Sequence, residues 1–208
     1  MFYRGRNLTE LIALLTIIIW PVIPLFWIPV HCFAGFFKKI GVMTYVMPFL
    51  IWPPVAYLIY LNRTFLLYYR LDMHNLVRIA GLIILTAGTV LQIWTGRLLT
   101  LWGLMGVPEV SAKSTSWLAT DGAFSFVRHP TYLAHTLMLG GIFLFTGVVA
   151  IGIITLLDFA VINAIVIPLE ERELLVRFGD DYVRYKKRVP RYFPRLKKRQ
   201  KNNRISWR

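Results

Sequence analysis

Apolar residues in this chain come in long unbroken runs separated by short polar stretches, a pattern of membrane helices rather than of amphipathic soluble ones. After a short polar start with Arg4 and Arg6, the run from Leu11 to about Phe37 predicts a first span, kinked or broken where Pro21, Pro24 and Pro29 remove backbone donors. It is too long for the core of a signal peptide and shows no small-residue cleavage site. His31 lies at its far end, and Lys38-Lys39 mark a turn at the membrane surface. Val42–Leu61 predicts a second span, interrupted by Pro48, Pro53 and Pro54, and residues 62–75 form a connector carrying Arg63, Arg70, Asp72 and His74. Leu76 to about Leu101 predicts a third span, with Gly81, Gly88 and Gly96 permitting close helix approach. Residues 103–127 turn polar and face water.

Tyr132–Pro168 is decisive for the topology. Its 37 residues would make a single helix about 55 Å long, against a hydrocarbon core of about 30 Å. A hairpin of two spans fits instead, turning near Thr146-Gly147 or Gly152, with Asp158 and Asn163 in its second arm. From Leu169 to Arg188, apolar Leu174, Leu175, Phe178, Tyr182 and Tyr185 recur among charges. An amphipathic helix leaving the membrane follows, redirected near Gly179. The expected fold class is all-α: a polytopic membrane bundle of about five helices, with a cytoplasmic C-terminal amphipathic helix and a basic tail.

Composition supports that reading, with 57% hydrophobic and 16% charged residues. The net charge of +14 is uneven: residues 169–208 hold 14 of the 24 Lys and Arg and 5 of the 10 acids, so +9 lies there. Beside membrane spans, such a tail reads as a cytoplasmic segment near anionic headgroups and not as a nucleic-acid binder. Lys38, Lys39, Arg97, Lys113 and Arg128 fall inside with the tail, whereas Arg4, Arg6, Arg63, Arg70 and Arg78 fall outside or at the boundary, so the tail decides the orientation. One cysteine, Cys32, excludes an internal disulfide, and the four histidines show no metal-ligand spacing.

Two polar clusters bracket the hairpin, Arg128-His129-Pro130-Thr131-Tyr132 before it and Glu170-Glu171 with Phe178-Gly179, Tyr182, Tyr185 and Lys186-Lys187-Arg188-Val189-Pro190 after it. Two crossings return both clusters to one membrane face. Each half alone reads as an interfacial anchor or a helix-face salt bridge. Together, arginines, paired carboxylates and tyrosines suit a zwitterionic ligand: a cationic centre wants carboxylates and aromatic faces, and a carboxylate wants Arg or free amides at a helix start.

These motifs, with Gly122-Ala123-Phe124-Ser125-Phe126-Val127 ahead of Arg128, resemble the isoprenylcysteine carboxyl methyltransferase family, a wider group that includes phospholipid N-methyltransferases. The resemblance covers roughly residues 76–194. Ala123 and Phe124 stand where that family commonly has Pro-Tyr, and Ala134 where Gly is frequent, departures that bear on the acceptor. The resemblance implies S-adenosylmethionine as methyl donor, held by His129, Tyr132, Glu170, Tyr182 and Tyr185, with Arg128, Glu171 and Arg188 nearer the acceptor. A lipid or lipidated acceptor, favoured as a prenylcysteine-type carboxylate, would enter sideways from the bilayer, and no metal is needed. The implied organisation is 1–75 as N-terminal membrane helices, 76–194 as the methyltransferase core and 195–208 as a basic tail. The expected molecule is a monomeric, multi-pass integral membrane protein with a cytoplasmic C-terminus, in a bacterial plasma membrane or an endoplasmic reticulum. Three rivals remain: a phospholipid amine N-methyltransferase, an NADPH-dependent reductase of sterol-reductase type, and a non-enzymatic membrane protein whose tail recruits lipid.

Overall fold

A computed structural model describes residues 3–21, 26, 28–30, 32–104 and 118–192. His31, the loop around Glu109 and Lys113, and the basic tail lie outside them. The described residues fold mainly into helices, with one isolated antiparallel bridge between Arg70 and Val148. In chain order the main helices are α1 (Tyr3–Ile19), α2 (Ala34–Ile40), α3 (Val46–Leu61), α4 (Asn75–Leu104), α5 (Pro130–Thr146), α6 (Val149–Val161), α7 (Ile167–Phe178) and α8 (Asp180–Arg188).

Asn75–Leu99 and Val149–Phe178 are long and apolar enough to cross a membrane, while Leu8–Ile19 and Val46–Leu61 are shorter apolar helices. The first predicted span differs from expectation because α1 stops at Ile19, just before Pro21, instead of running on to Phe37. Lys39 lies within α2, and the turn falls at Gly41, where φ is +63°. Pro53 and Pro54 sit inside α3 without ending it. Leu11, Leu15, Leu50, Leu58, Ile83, Val90, Ile153 and Leu156 lie exposed on these helices. An apolar exterior of that kind suits a lipid solvent and not water.

The core of the bundle is the antiparallel contact of α4 with α5, made close by glycines. A Cβ at Gly81 would come 2.8 Å from the Gly141 carbonyl oxygen, and one at Gly88 would come 2.9 Å from that of Ala134. The hairpin turns at Gly147, whose φ of +70° favours glycine and whose N–H caps α5 on the Phe143 carbonyl. The connector before α4 pins this turn, with Leu71 N–H donating to the Gly147 carbonyl at 2.8 Å and Val149 N–H to that of Tyr69 at 3.0 Å. Ala13 and Ile17 of α1 pack there against Val148 and Ile151.

From Val149 the chain runs as one helix to Phe178, through a π-helical stretch at Ile162–Val166. Pro168 explains the wide turn: its ring would press on the Ala164 carbonyl four residues back, and a π turn opens that space. The helix ends at Gly179 (φ +50°), where α8 starts in a new direction. The end of the bundle away from Gly147 therefore receives the start of α5, the end of α7, and α8.

Candidate functional site

Pro130 opens α5, and its ring keeps His129 out of the helical region, with φ −122° and ψ 60°. The segment before it lies beside the chain that leaves α8: Arg128 N–H donates to the Pro190 carbonyl at 2.8 Å and His129 N–H to the Arg191 carbonyl at 3.4 Å. These two amides are thus committed to the backbone and do not await an anion. The two motifs, about sixty residues apart in sequence, meet directly.

Glu171 is the centre of the meeting. It is 6% exposed. Its Oε1 accepts from Arg128 Nε at 3.2 Å and Arg128 Nη2 at 2.9 Å, and lies 3.1 Å from His129 Nε2; its Oε2 accepts from Lys186 Nζ at 2.6 Å. Charge-assisted contacts on both oxygens make it affordable to bury this carboxylate. Arg128 also donates from Nη1 to the Lys186 and Val189 carbonyls at 3.1 and 2.6 Å, so its guanidinium ties α8 to the foot of α5.

His129 lies between the paired glutamates, because the other face of its ring, at Nδ1, is 3.7 Å from Glu170 Oε2. That oxygen is buried without a hydrogen-bond partner, as is the Tyr182 hydroxyl. Tyr132 stacks obliquely on His129 at 5.9 Å between ring centroids. Tyr182 and Tyr185 pack with Val189 on the inner face of α8, and the Tyr185 hydroxyl donates to the Phe124 carbonyl at 2.7 Å. Burial pushes both phenols well above the ordinary value, so each remains a protonated donor.

Of the residues singled out from sequence, the fold gathers Arg128, His129, Tyr132, Glu170, Glu171, Tyr182 and Tyr185. Arg188 does not reach Glu171 and lies exposed on an open groove of about 710 Å³ that Tyr185 also lines, with Leu118, Thr120, Phe178, Asp181, Arg184 and Lys187. Lys186 holds the place at Glu171 instead. Lys186, four residues from Tyr182, reaches Glu171 from the edge of the buried face with its side chain half exposed, while Arg188, three residues from Tyr185, lies exposed.

The fit to S-adenosylmethionine is tested by the unmatched atoms. Glu171 is paired with Arg128 and Lys186, whereas Glu170 meets only the edge of the His129 ring among the described residues. Glu170 keeps a buried oxygen without a donor, and the buried Tyr182 hydroxyl has no acceptor. A ligand with a cationic and an anionic group satisfies both, so the donor set fits.

Residues 76–181 match the sequence profile of the family described as phospholipid methyltransferase. The chain is also 31% identical over 114 residues to the cobalt-zinc-cadmium resistance protein CzcN of Cupriavidus metallidurans, covering 50% of this chain and 52% of that one. It is 29% identical over 114 residues to the nickel-cobalt-cadmium resistance protein NccN of Alcaligenes xylosoxydans xylosoxydans, covering 50% and 53%. The chain therefore spans about half the length of the curated relatives it matches. No solved structure matches it. With the family profile covering half of its length, including both the Arg-His-Pro and Glu-Glu motifs, the chain belongs to the phospholipid methyltransferase family.

Proposed function

We infer that this protein is an integral-membrane enzyme that transfers the methyl group of S-adenosylmethionine to a lipid-like or lipidated acceptor. The observation that carries the reading is the closure of the two motifs around buried Glu171, which leaves Glu170 Oε2, beside His129, and the Tyr182 hydroxyl without hydrogen-bond partners. Glu170, Tyr182, His129 and Tyr132 would hold the donor. When bound, it supplies an electrophilic methyl carbon on a sulfonium, and the protein's task is alignment and exclusion of water. Arg128, Glu171 and Lys186 brace α8 against α5 and so fix the walls of the site. Arg128 is spent on Glu171 and two carbonyls, so a carboxylate acceptor would have to find its cation elsewhere, with Arg188 exposed at the nearby groove.

The membrane arrangement belongs to the same proposal: about five spans, with the site and C-terminus cytoplasmic. The lysines and arginines of α8 and the tail support it. At the opposite end, Arg70 is paired with Glu10 at 3.0 Å, Arg78 lies 3.6 Å from Asp72, and Arg63 covers the Tyr60 ring at 4.3 Å.

The test is calorimetric titration of the purified full chain in detergent with S-adenosylmethionine, followed by transfer of labelled methyl into a lipid extract. Saturable binding with label in the organic phase is expected. Heats indistinguishable from dilution would overturn the proposal.

A further inference from the structure

A second polar cluster lies deeper in the bundle, outside the site just described. Asp158 on α6 is 3% exposed. It lies about 14 Å along the helix from the hairpin turn, at lipid depth. Its Oδ1 accepts from Trp20 Nε1 at the end of α1 at 2.9 Å, and its Oδ2 lies 3.4 Å from His135 Nε2 on α5. The second approach is not a formed hydrogen bond, and both Asp158 Oδ2 and His135 Nε2 remain buried without a partner. The His135 side chain is nonetheless 21% exposed. One edge of the ring thus faces the carboxylate while the ring keeps an open edge.

A carboxylate at this depth is costly, and two helices can be pinned together more cheaply by apolar contact or an amide. Three elements, α1, α5 and α6, contribute to placing this one. His135 is six residues, about 9 Å along α5, from His129, and Tyr132 lies midway on the same ridge. Tyr192 joins the two clusters from the other side. Its ring lies 6.3 Å from that of Phe159, and its buried hydroxyl faces Asn163 on the π-helical stretch, within the fields of Glu170 and Asp158. A row of polar groups therefore leads from the candidate cofactor site into the lipid-level interior.

We propose that His135, oriented by Asp158 and Trp20, is the base that takes the proton of the methyl acceptor, which makes the acceptor a lipid-borne nucleophile carrying an N–H or S–H and not a carboxylate. The inference rests on the methyltransferase reading. As the acceptor's lone pair forms its bond to the methyl carbon, the carbon–sulfur bond breaks and its electron pair stays on sulfur. The acceptor's proton goes to Nδ1 of His135, the ring nitrogen not turned to Asp158, and the positive charge lost by the sulfonium reappears as imidazolium beside Asp158. A carboxylate acceptor would have no proton to surrender and would meet the Asp158 charge.

The experiment uses the full chain in detergent with labelled histidine rings, whose four signals are assigned by substitution. The probes are dodecylamine and dodecanethiol, with dodecanoate as the carboxylate control. The His135 signal should shift with the amine or the thiol, should not shift with dodecanoate, and should lose its response in Asp158→Asn. With the responding probe as acceptor, His135→Gln should lower turnover on the order of 100-fold or more while leaving the dissociation constant of S-adenosylmethionine unchanged. Trp20→Phe should lower it less, through kcat and not KM. An unmoved His135 signal in a protein that binds S-adenosylmethionine overturns the proposal, as does parental turnover in His135→Gln or methylation of dodecanoate. A His135 response in a protein that fails to bind S-adenosylmethionine overturns the methyltransferase reading instead and leaves the subsite standing. The parent's spectra require no variant to fold.

Discussion

Replacing Glu171 with Gln keeps the size of the side chain and removes its charge. The Arg128 side chain is only 10% exposed and Glu171 7%, so the change strands a buried guanidinium. Breaking a buried pair from one side costs about 3–5 kcal/mol. The low end applies here, because Arg128 keeps the Lys186 and Val189 carbonyls and Lys186 is half exposed and can rehydrate. A loss of about 3 kcal/mol corresponds to a fall in Tm of roughly 6–12 °C in a chain of this length. It should be concentrated where the contacts are, so trypsin should cut residues 184–191 sooner. The assay is thermal unfolding followed by tryptophan fluorescence in one detergent, with Arg184→Ala as the control. The Arg184–Asp181 pair is 67% and 70% exposed, and its loss should move Tm by less than about 2 °C. A Glu171→Gln protein melting within 2 °C of the parent, with unchanged proteolysis, would refute the claim that this carboxylate holds the two motifs together.

Gly141→Ala should destabilise by about 1–3 kcal/mol, since its Cβ would meet Leu85 N at 2.6 Å, while Gly140→Ala, with nothing nearer than Thr155 Cγ2 at 4.0 Å, should be tolerated; thermal melts of the pair check this. Tyr185→Phe removes the donor to the Phe124 carbonyl and should cost about 1 kcal/mol, read as a lower Tm. Burial, with help from the Glu170 and Asp158 charges, pushes the Tyr192 phenol from 10.0 up to about 12. The neutral form is the one folding favours, so its contribution is complete below pH 10 and is lost as pH rises from 10 to 12. Alkaline unfolding should therefore be shallower in Tyr192→Phe across that window.

How much of this was legible beforehand varies with the physics involved. The hairpin follows from length alone, because 37 apolar residues cannot fit one crossing, and Gly147 was one of two places where glycine could permit the turn. The meeting of Arg128 with Glu171 follows from the hairpin, which returns the chain to the end of the bundle it left. Which basic residue of Lys186-Lys187-Arg188 reaches Glu171 does not, because Lys186 stands four residues from Tyr182 and Arg188 three from Tyr185. The N-terminal third was read less well: three prolines in Leu11–Phe37 announce a break without saying where, and α1 ends at Ile19. Asp158 was visible as an ionisable residue at depth, but its partners Trp20 and His135 come from two other helices, 138 and 23 positions away. No local periodicity reports a contact of that kind.

Irradiating the full chain with methyl-labelled S-adenosylmethionine and mapping the labelled peptides tests most directly whether the two motifs build one site. Label in both the 129–132 and the 170–185 peptides, displaced together by excess unlabelled ligand, is the predicted result. Label confined to one of them, or spread over peptides of α1 and α3, would contradict it.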